Sequence, residues 1–361
     1  MKSQIDFTGL TQWIHQTLSA YLSPGWVLTL ELVASVLAII VMIVVMVILM
    51  IYAERKIAGF MQLRLGPMRV GWCGSGQAIA DVLKLLLKEC VTPFQADKLL
   101  FSLAPFVVLA TSFLSIMPFS YAPGLQLWDI NIGVLYVTAV SSISVMGVMM
   151  AGWASHNKYS LLGAMRSGAQ IVSYELSMGM ALVTIIAMSG TLSVNDIIMS
   201  QADGWWLFKG HVPAILAFVI FIIASTAELN RAPFDLAEAE QELTAGFHTE
   251  YSGMQFAMFF LAEYSNMLIA SMMAATVFLG GWQPLHIQGL DGFNQVMDFI
   301  PGILWFFGKI FFVIFLIMWF RWTFPRLRID QLLRLEWKYL LPISIVNVIL
   351  AACVAVFGWY L

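Results

Sequence analysis

Eight stretches of the chain run for about twenty positions with almost no polar residue, at 27–52, 99–119, 131–152, 161–188, 212–228, 254–280, 301–320 and 340–360. A helix rising 1.5 Å per residue needs about 20 apolar residues to cross a bilayer, so each stretch predicts a spanning helix. Strands of a membrane barrel would be about ten residues long and alternating, which these are not. Two shorter segments carry a different pattern. Trp13, Ile14, Leu18 and Tyr21 recur at helical spacing opposite Gln12, His15, Gln16 and Ser19, and Ser23-Pro24-Gly25 follows. Ile79, Val82, Leu83, Leu86 and Leu87 likewise oppose Gln77, Asp81, Lys84 and Lys88. Both read as amphipathic helices lying in the membrane interface. Between the fifth and sixth runs, Asp235 with Glu238 three residues on is a helix-start pattern and Gly246 a stop, predicting a short helix over 236–245.

Composition closes off the soluble classes. The chain is 60% hydrophobic and 11% charged with a mean hydropathy of +0.85, against about 25% charged for an ordinary soluble domain. A net charge of −3 points to no nucleic acid. The connections at 53–98, 153–166, 229–253 and 321–339 hold 15 of the 18 Lys and Arg residues, while the opposite side holds only Lys2 and Lys209. That bias places those connections on the cytoplasmic side and both termini on the other. The fold reading is therefore an all-α integral membrane protein of about eight transmembrane helices, with interfacial amphipathic helices and ordered cytoplasmic loops. Residues 1–26 are an outer-face amphipathic segment, and 27–361 form the eight-helix membrane domain.

Redox ligands are missing from this pattern. Cys73, Cys90 and Cys353 stand singly, and the five histidines fall in or beside polar connections rather than facing each other in the spans. Ionisable residues inside the spans are costly and point to function. Glu175 and Glu263 are such residues, with Lys309 about two turns into the seventh run. A Glu paired with a basic residue could instead pin two helices, and Lys309 could snorkel outward. The connection AELNRAPFDLAEAEQELTAGFHTEYSG sets six acids against one base, Arg231. It is either a solvated acidic loop or, because Phe234, Leu236 and Phe247 interleave with the acids, a packed one suited to holding protons.

Four segments carry a resemblance. ERKIAGFMQLRLGPMRVG, GWASHNKYSLLGAMRSGAQIVSYE, the acidic connection and RWTFPRLRIDQLL closely resemble the motifs of the H-subunit family of bacterial proton-pumping NADH:quinone oxidoreductase, respiratory complex I. The likeness covers residues 27–361, departing at Met68, where the family has Asn, and at Ala237, where it often has Pro. It implies a translocase subunit in the cell inner membrane, forming the membrane side of a quinone chamber and coupling quinone reduction to proton translocation. Quinone would be the substrate at a shared site, with no cofactor held by this chain alone. Flavin and iron–sulfur clusters would sit in partner subunits. The hydrophilic arm would dock on the cytoplasmic loops, with small and antiporter-like membrane subunits alongside. By position, Glu54, Arg55 and Arg64 fall at the quinone entrance and chamber. Glu175, Glu228, Asp235, Glu238, Glu240 and Glu263 fall on an acidic coupling path, and Arg321, Arg326, Arg328 and Asp330 on the docking loop. A component of a membrane-bound hydrogenase or a stand-alone proton-coupled transporter are the alternatives.

Overall fold

The computed structural model describes residues 8–21, 23–236, 244–287 and 291–359. Among these residues, eight helices are long and apolar enough to cross a membrane. They are α2 (Pro24–Met61), α4 (Lys98–Ser115), α5 (Gly133–Ala154), α6 (Lys158–Ser189), α9 (His211–Glu228), α10 (Gly253–Val277), α12 (Gly302–Thr323) and a composite last helix. That last one joins α13 (Ile329–Leu335), a five-residue π turn (Glu336–Leu340) and α14 (Leu341–Phe357). Shorter elements lie between: α1 (Thr8–Ser19), α3 (Gln77–Leu87), α7 (Val194–Met199), α8 (Trp206–Lys209), α11 (Asp291–Asp298) and a hairpin of β1 (Ser120–Ala122) with β2 (Leu125–Gln126).

The first and last spans depart from the apolar runs. Hydropathy ends the first run at 52, yet α2 continues to Met61 because Ala53-Glu54-Arg55-Lys56-Ile57-Ala58 are residues a helix accepts readily. Glu54 and Arg55 are thereby set on a helix rather than in a loop. The last helix begins at Ile329, well before residue 340, and takes Glu336 into the interior.

Capping fixes the other ends. Asp97 accepts hydrogen bonds from the Leu99 and Leu100 amides at the start of α4, and Asn157 accepts from Tyr159 N at the start of α6. Gly190 ends α6 in a left-handed conformation that its missing side chain permits. α6 lies at the centre, packed by α5, α9 and α14. Small residues allow the close approaches: a Cβ on Gly147 would meet Val108 Cγ2 at 2.4 Å, and one on Gly152 would meet Ala164 Cβ at 2.2 Å.

The connections gather at two ends. At one, Asp97 N donates to Ala154 O at 3.2 Å, Asn157 Nδ2 to Glu250 Oε1 at 2.6 Å, and Leu327 N to Pro233 O at 3.0 Å. At the other, Val134 N donates to Leu192 O at 3.1 Å and Gln201 Nε2 to Thr276 O at 2.9 Å. The basic connections therefore share one end. There α3 turns Gln77 and Asp81 toward the protein, while Ile79, Val82, Leu83 and Leu86 are exposed. The expected helix over 236–245 lies mostly outside the described residues, as do Glu238, Glu240 and Ala237.

Candidate functional site

A buried arginine organises the basic end. Arg231 follows α9, in a turn closed by Phe234 N donating to Arg231 O at 2.8 Å, and is 1% exposed. Its Nη1 donates to Glu54 Oε2 at 2.8 Å, and its Nε donates to Glu263 Oε1 at 2.9 Å. The guanidinium lies 4.4 Å from the Tyr264 ring centroid, and the Tyr264 hydroxyl donates to the same Glu54 oxygen at 2.8 Å. Arg321 Nη1, from the end of α12, donates to the other Glu54 oxygen. Two carboxylates thus face two guanidiniums, which is the condition for burying charge at all. Burial alone would favour loss of the Arg231 proton. The neighbouring Glu263 and Glu54 carboxylates outweigh that and hold the group charged.

Beside this knot opens a cavity lined among others by Glu54, Arg55, Arg64, Glu263, Arg321 and Trp322. Sequence position put Glu54, Arg55 and Arg64 together, and they do share this wall. Glu263 and Arg321, which the motifs assigned to the path and to docking, lie on the same wall. Arg55 is held by Asp81 of α3 at 2.6 Å.

Two further cavities continue inward. One shares Phe260 and Glu263 with the first and adds Glu228, Asn230, His248 and Asn266. Burial among Phe247 and Phe256 pushes the His248 imidazole down to about 4, so it is neutral near pH 7. The innermost, which is small, shares Ser144, Glu228 and Asn266 with the second and adds Thr138, Ser141 and Met178. Glu175 is not among the lining residues; it accepts a hydrogen bond from Ser142 Oγ, next in the chain to the lining Ser141. Glu54, Glu263 and Glu228 therefore lie on successive walls leading from the open cavity into the bundle, with Glu175 of α6 an electrostatic neighbour of Glu228.

The acidic connection is packed where it is described. Gln170 Nε2 of α6 donates to Ala227 O at 2.7 Å and Phe234 O at 2.8 Å, while Asn230 Nδ2 donates to Ser167 Oγ at 3.0 Å. Phe234, Asp235, Leu236 and Phe247 are buried, and Arg326 pairs with Asp235 at 3.0 Å. Arg328 and Asp330 are exposed at the start of α13. Lys309 does not snorkel; it is buried and donates to Gly281 O at 2.8 Å and Gln283 O at 2.5 Å, tying down the opposite end. Among the described residues, no three His, Cys, Asp or Glu side chains group as metal ligands would.

The sequence pattern did not mark Arg231, Tyr264, Gln170 or Glu336 as site residues. Arg231 had one local signal, as the lone base among six acids.

The family model described as NADH dehydrogenase matches residues 34–352. The H subunit of NADH-quinone oxidoreductase from Bacteroides thetaiotaomicron is 56% identical over 98% of this chain and 99% of its own length. The protein of that name from Bacteroides fragilis is 57% identical over 98% and 99%. That from Brevibacillus brevis is 46% identical over 92% and 95%. Matches of this length and identity set aside the hydrogenase and transporter alternatives: the chain belongs to the NADH dehydrogenase family, as a membrane subunit of the complex I type.

Proposed function

We propose that this subunit supplies the membrane wall of the quinone site of NADH:quinone oxidoreductase. The observation that carries the reading is the open cavity walled by Glu54, Arg55, Arg64 and Arg321, continued inward by shared residues to Glu228. A quinone head needs hydrogen-bond donors at its carbonyls, and arginine guanidiniums provide several. Its reduction takes up two electrons and two protons, and the electrons come from flavin and iron–sulfur clusters in partner subunits. This chain's part is to bind the head, shield it from the lipid and respond to its charge. Negative charge arising beside Arg321 loosens its hold on Glu54. The row from Glu54 through Glu263 and Glu228 to Glu175 then re-partitions protons, passing the signal toward antiporter-like subunits.

The basic end, with Arg326, Arg328 and Asp330 at its surface, faces the cytoplasm and docks the hydrophilic arm. Both termini, with residues 1–26 as an interfacial segment, then lie on the periplasmic side of the inner membrane. We assign Glu238 and Glu240 to the same coupling path from their place in the acidic connection alone.

Arg64→Ala tests the quinone assignment. Arg64 lines the cavity but has no part in the Arg231 knot, so assembly is expected to hold. The apparent KM for a short-chain quinone rises about tenfold, the equivalent of one lost hydrogen bond to a charged group. NADH oxidation by an artificial acceptor stays unchanged. Equal loss in both assays would point to misassembly and remove the assignment.

A further inference from the structure

Glu336 stands outside the row of acids described above. It is 1% exposed and opens the π turn between α13 and α14. Such turns are rare and cluster at functional sites. Here the turn sits directly after two ties to α6. Tyr174 Oη donates to Leu332 O at 3.0 Å, and Ser177 Oγ donates to Glu336 Oε1. The second carboxyl oxygen, Oε2, is buried without a partner.

Among the described residues, its surroundings hold no cation for it. α6 presents Tyr174, whose proton is committed to Leu332, and Ser177. The buried polar residues of α14 are Ser344, bonded to Leu341 O, and Asn347, bonded to Pro213 O and Thr184 Oγ1. α9, which packs on α14, has no ionisable residue between His211 and Glu228. On its own segment, Arg334 and Lys338 are exposed, and residues two apart on a helix do not face each other. A carboxylate placed this way leaves an uncompensated charge in the interior, which one bound proton cancels.

We propose that Glu336 is a further proton-binding site of this subunit, loaded and emptied during turnover and electrostatically coupled to Glu175 across α6. It rests on the reading of Glu175 and Glu228 as part of the coupling path. The proton binds at Oε2, taking the group from one negative charge to none, and leaves from the same oxygen. Oε1 accepts the Ser177 hydrogen bond in both states. Glu175 and Ser177 are two residues apart and point to different neighbours, Ser142 of α5 and Glu336 of the π turn. The two carboxyls are thus separated by about one helix width, roughly 10 Å, close enough inside protein for a charge on one to disfavour a charge on the other. Met178, beside Ser177 in the chain, lines the innermost cavity.

The test is redox-induced infrared difference spectroscopy on the intact complex, combined with turnover against pH. Wild type is expected to show a carboxyl C=O band that shifts in deuterium oxide. Glu336→Gln loses that band, Glu336→Asp moves it, and Glu336→Gln turns over several-fold more slowly with an altered pH profile. A band and profile identical to wild type in Glu336→Gln would overturn the proposal, since glutamine preserves the Ser177 bond and a purely structural role. If Glu336→Gln fails to assemble, Ser177→Ala decides: it removes the lone donor and must move the band, and an unmoved band overturns the site. Glu175→Gln separates the two claims. Loss of pumping in Glu175→Gln with no effect at Glu336 sinks this proposal alone. A band lost in Glu336→Gln while Glu175→Gln pumps normally supports the proton site and sinks the path.

Discussion

Replacing Arg231 by leucine is expected to strip this protein of most of its stability. The guanidinium is 1% exposed and bonds two carboxylates, so its loss leaves Glu263 without its cation and Glu54 with Arg321 and the Tyr264 hydroxyl. Removing one partner of a buried ion pair costs about 3–5 kcal/mol, a large share of the roughly 5–15 kcal/mol that holds a typical domain folded. The loss extends to packing, because Arg231 also covers the Tyr264 ring. Arg231→Lys keeps the charge but cannot span two acids with a rigid fork, so it recovers only part. Arg231→Leu combined with Glu263→Gln removes the orphaned charge and recovers part by another route. The amount of this chain in purified complex and its thermal unfolding midpoint are the readouts. Wild-type values for Arg231→Leu would show that the knot bears little of the fold.

Glu175→Gln carries the largest expected effect on turnover. Glutamine keeps an oxygen to accept the Ser142 hydroxyl, so the contact between α5 and α6 survives. What disappears is a group that can gain and lose a proton. Coupled NADH:quinone turnover is expected to fall about 10²-fold, the usual contribution of one positioned proton-transfer group, with normal assembly of the complex. Full turnover and proton pumping would make Glu175 a helix pin instead.

Spans were legible because lipid demands long apolar runs, and the packing of the acidic connection was legible from Phe234, Leu236 and Phe247 set among acids. What stayed hidden depends on partners far apart in sequence. Glu54 reads locally as the first polar residue after a span, yet it is buried because Arg231, 177 residues away, and Arg321, 267 away, cancel its charge. The motifs grouped Arg321 with a docking loop for the same reason, since nothing around it announces Glu54. Lys309 is hidden likewise: its carbonyl partners, Gly281 and Gln283, belong to another helix end. Glu336, between Arg334 and Lys338, has the look of a surface residue. It follows buried Leu332 by four residues and so lies on that helix's inner face, but its charge and flanking bases argue for the surface.

The account stands on the open cavity being where quinone binds. Photolabelling of the intact complex with a quinone carrying a photoreactive group on its ring, followed by peptide mapping, tests this directly. The predicted label falls within segments 54–67, 260–264 and 321–322, which carry the residues lining that cavity, and excess unmodified quinone competes it away. Competed label confined to partner subunits, or to the apolar groove formed by Phe218, Ile222, Phe320 and Leu335, would contradict it.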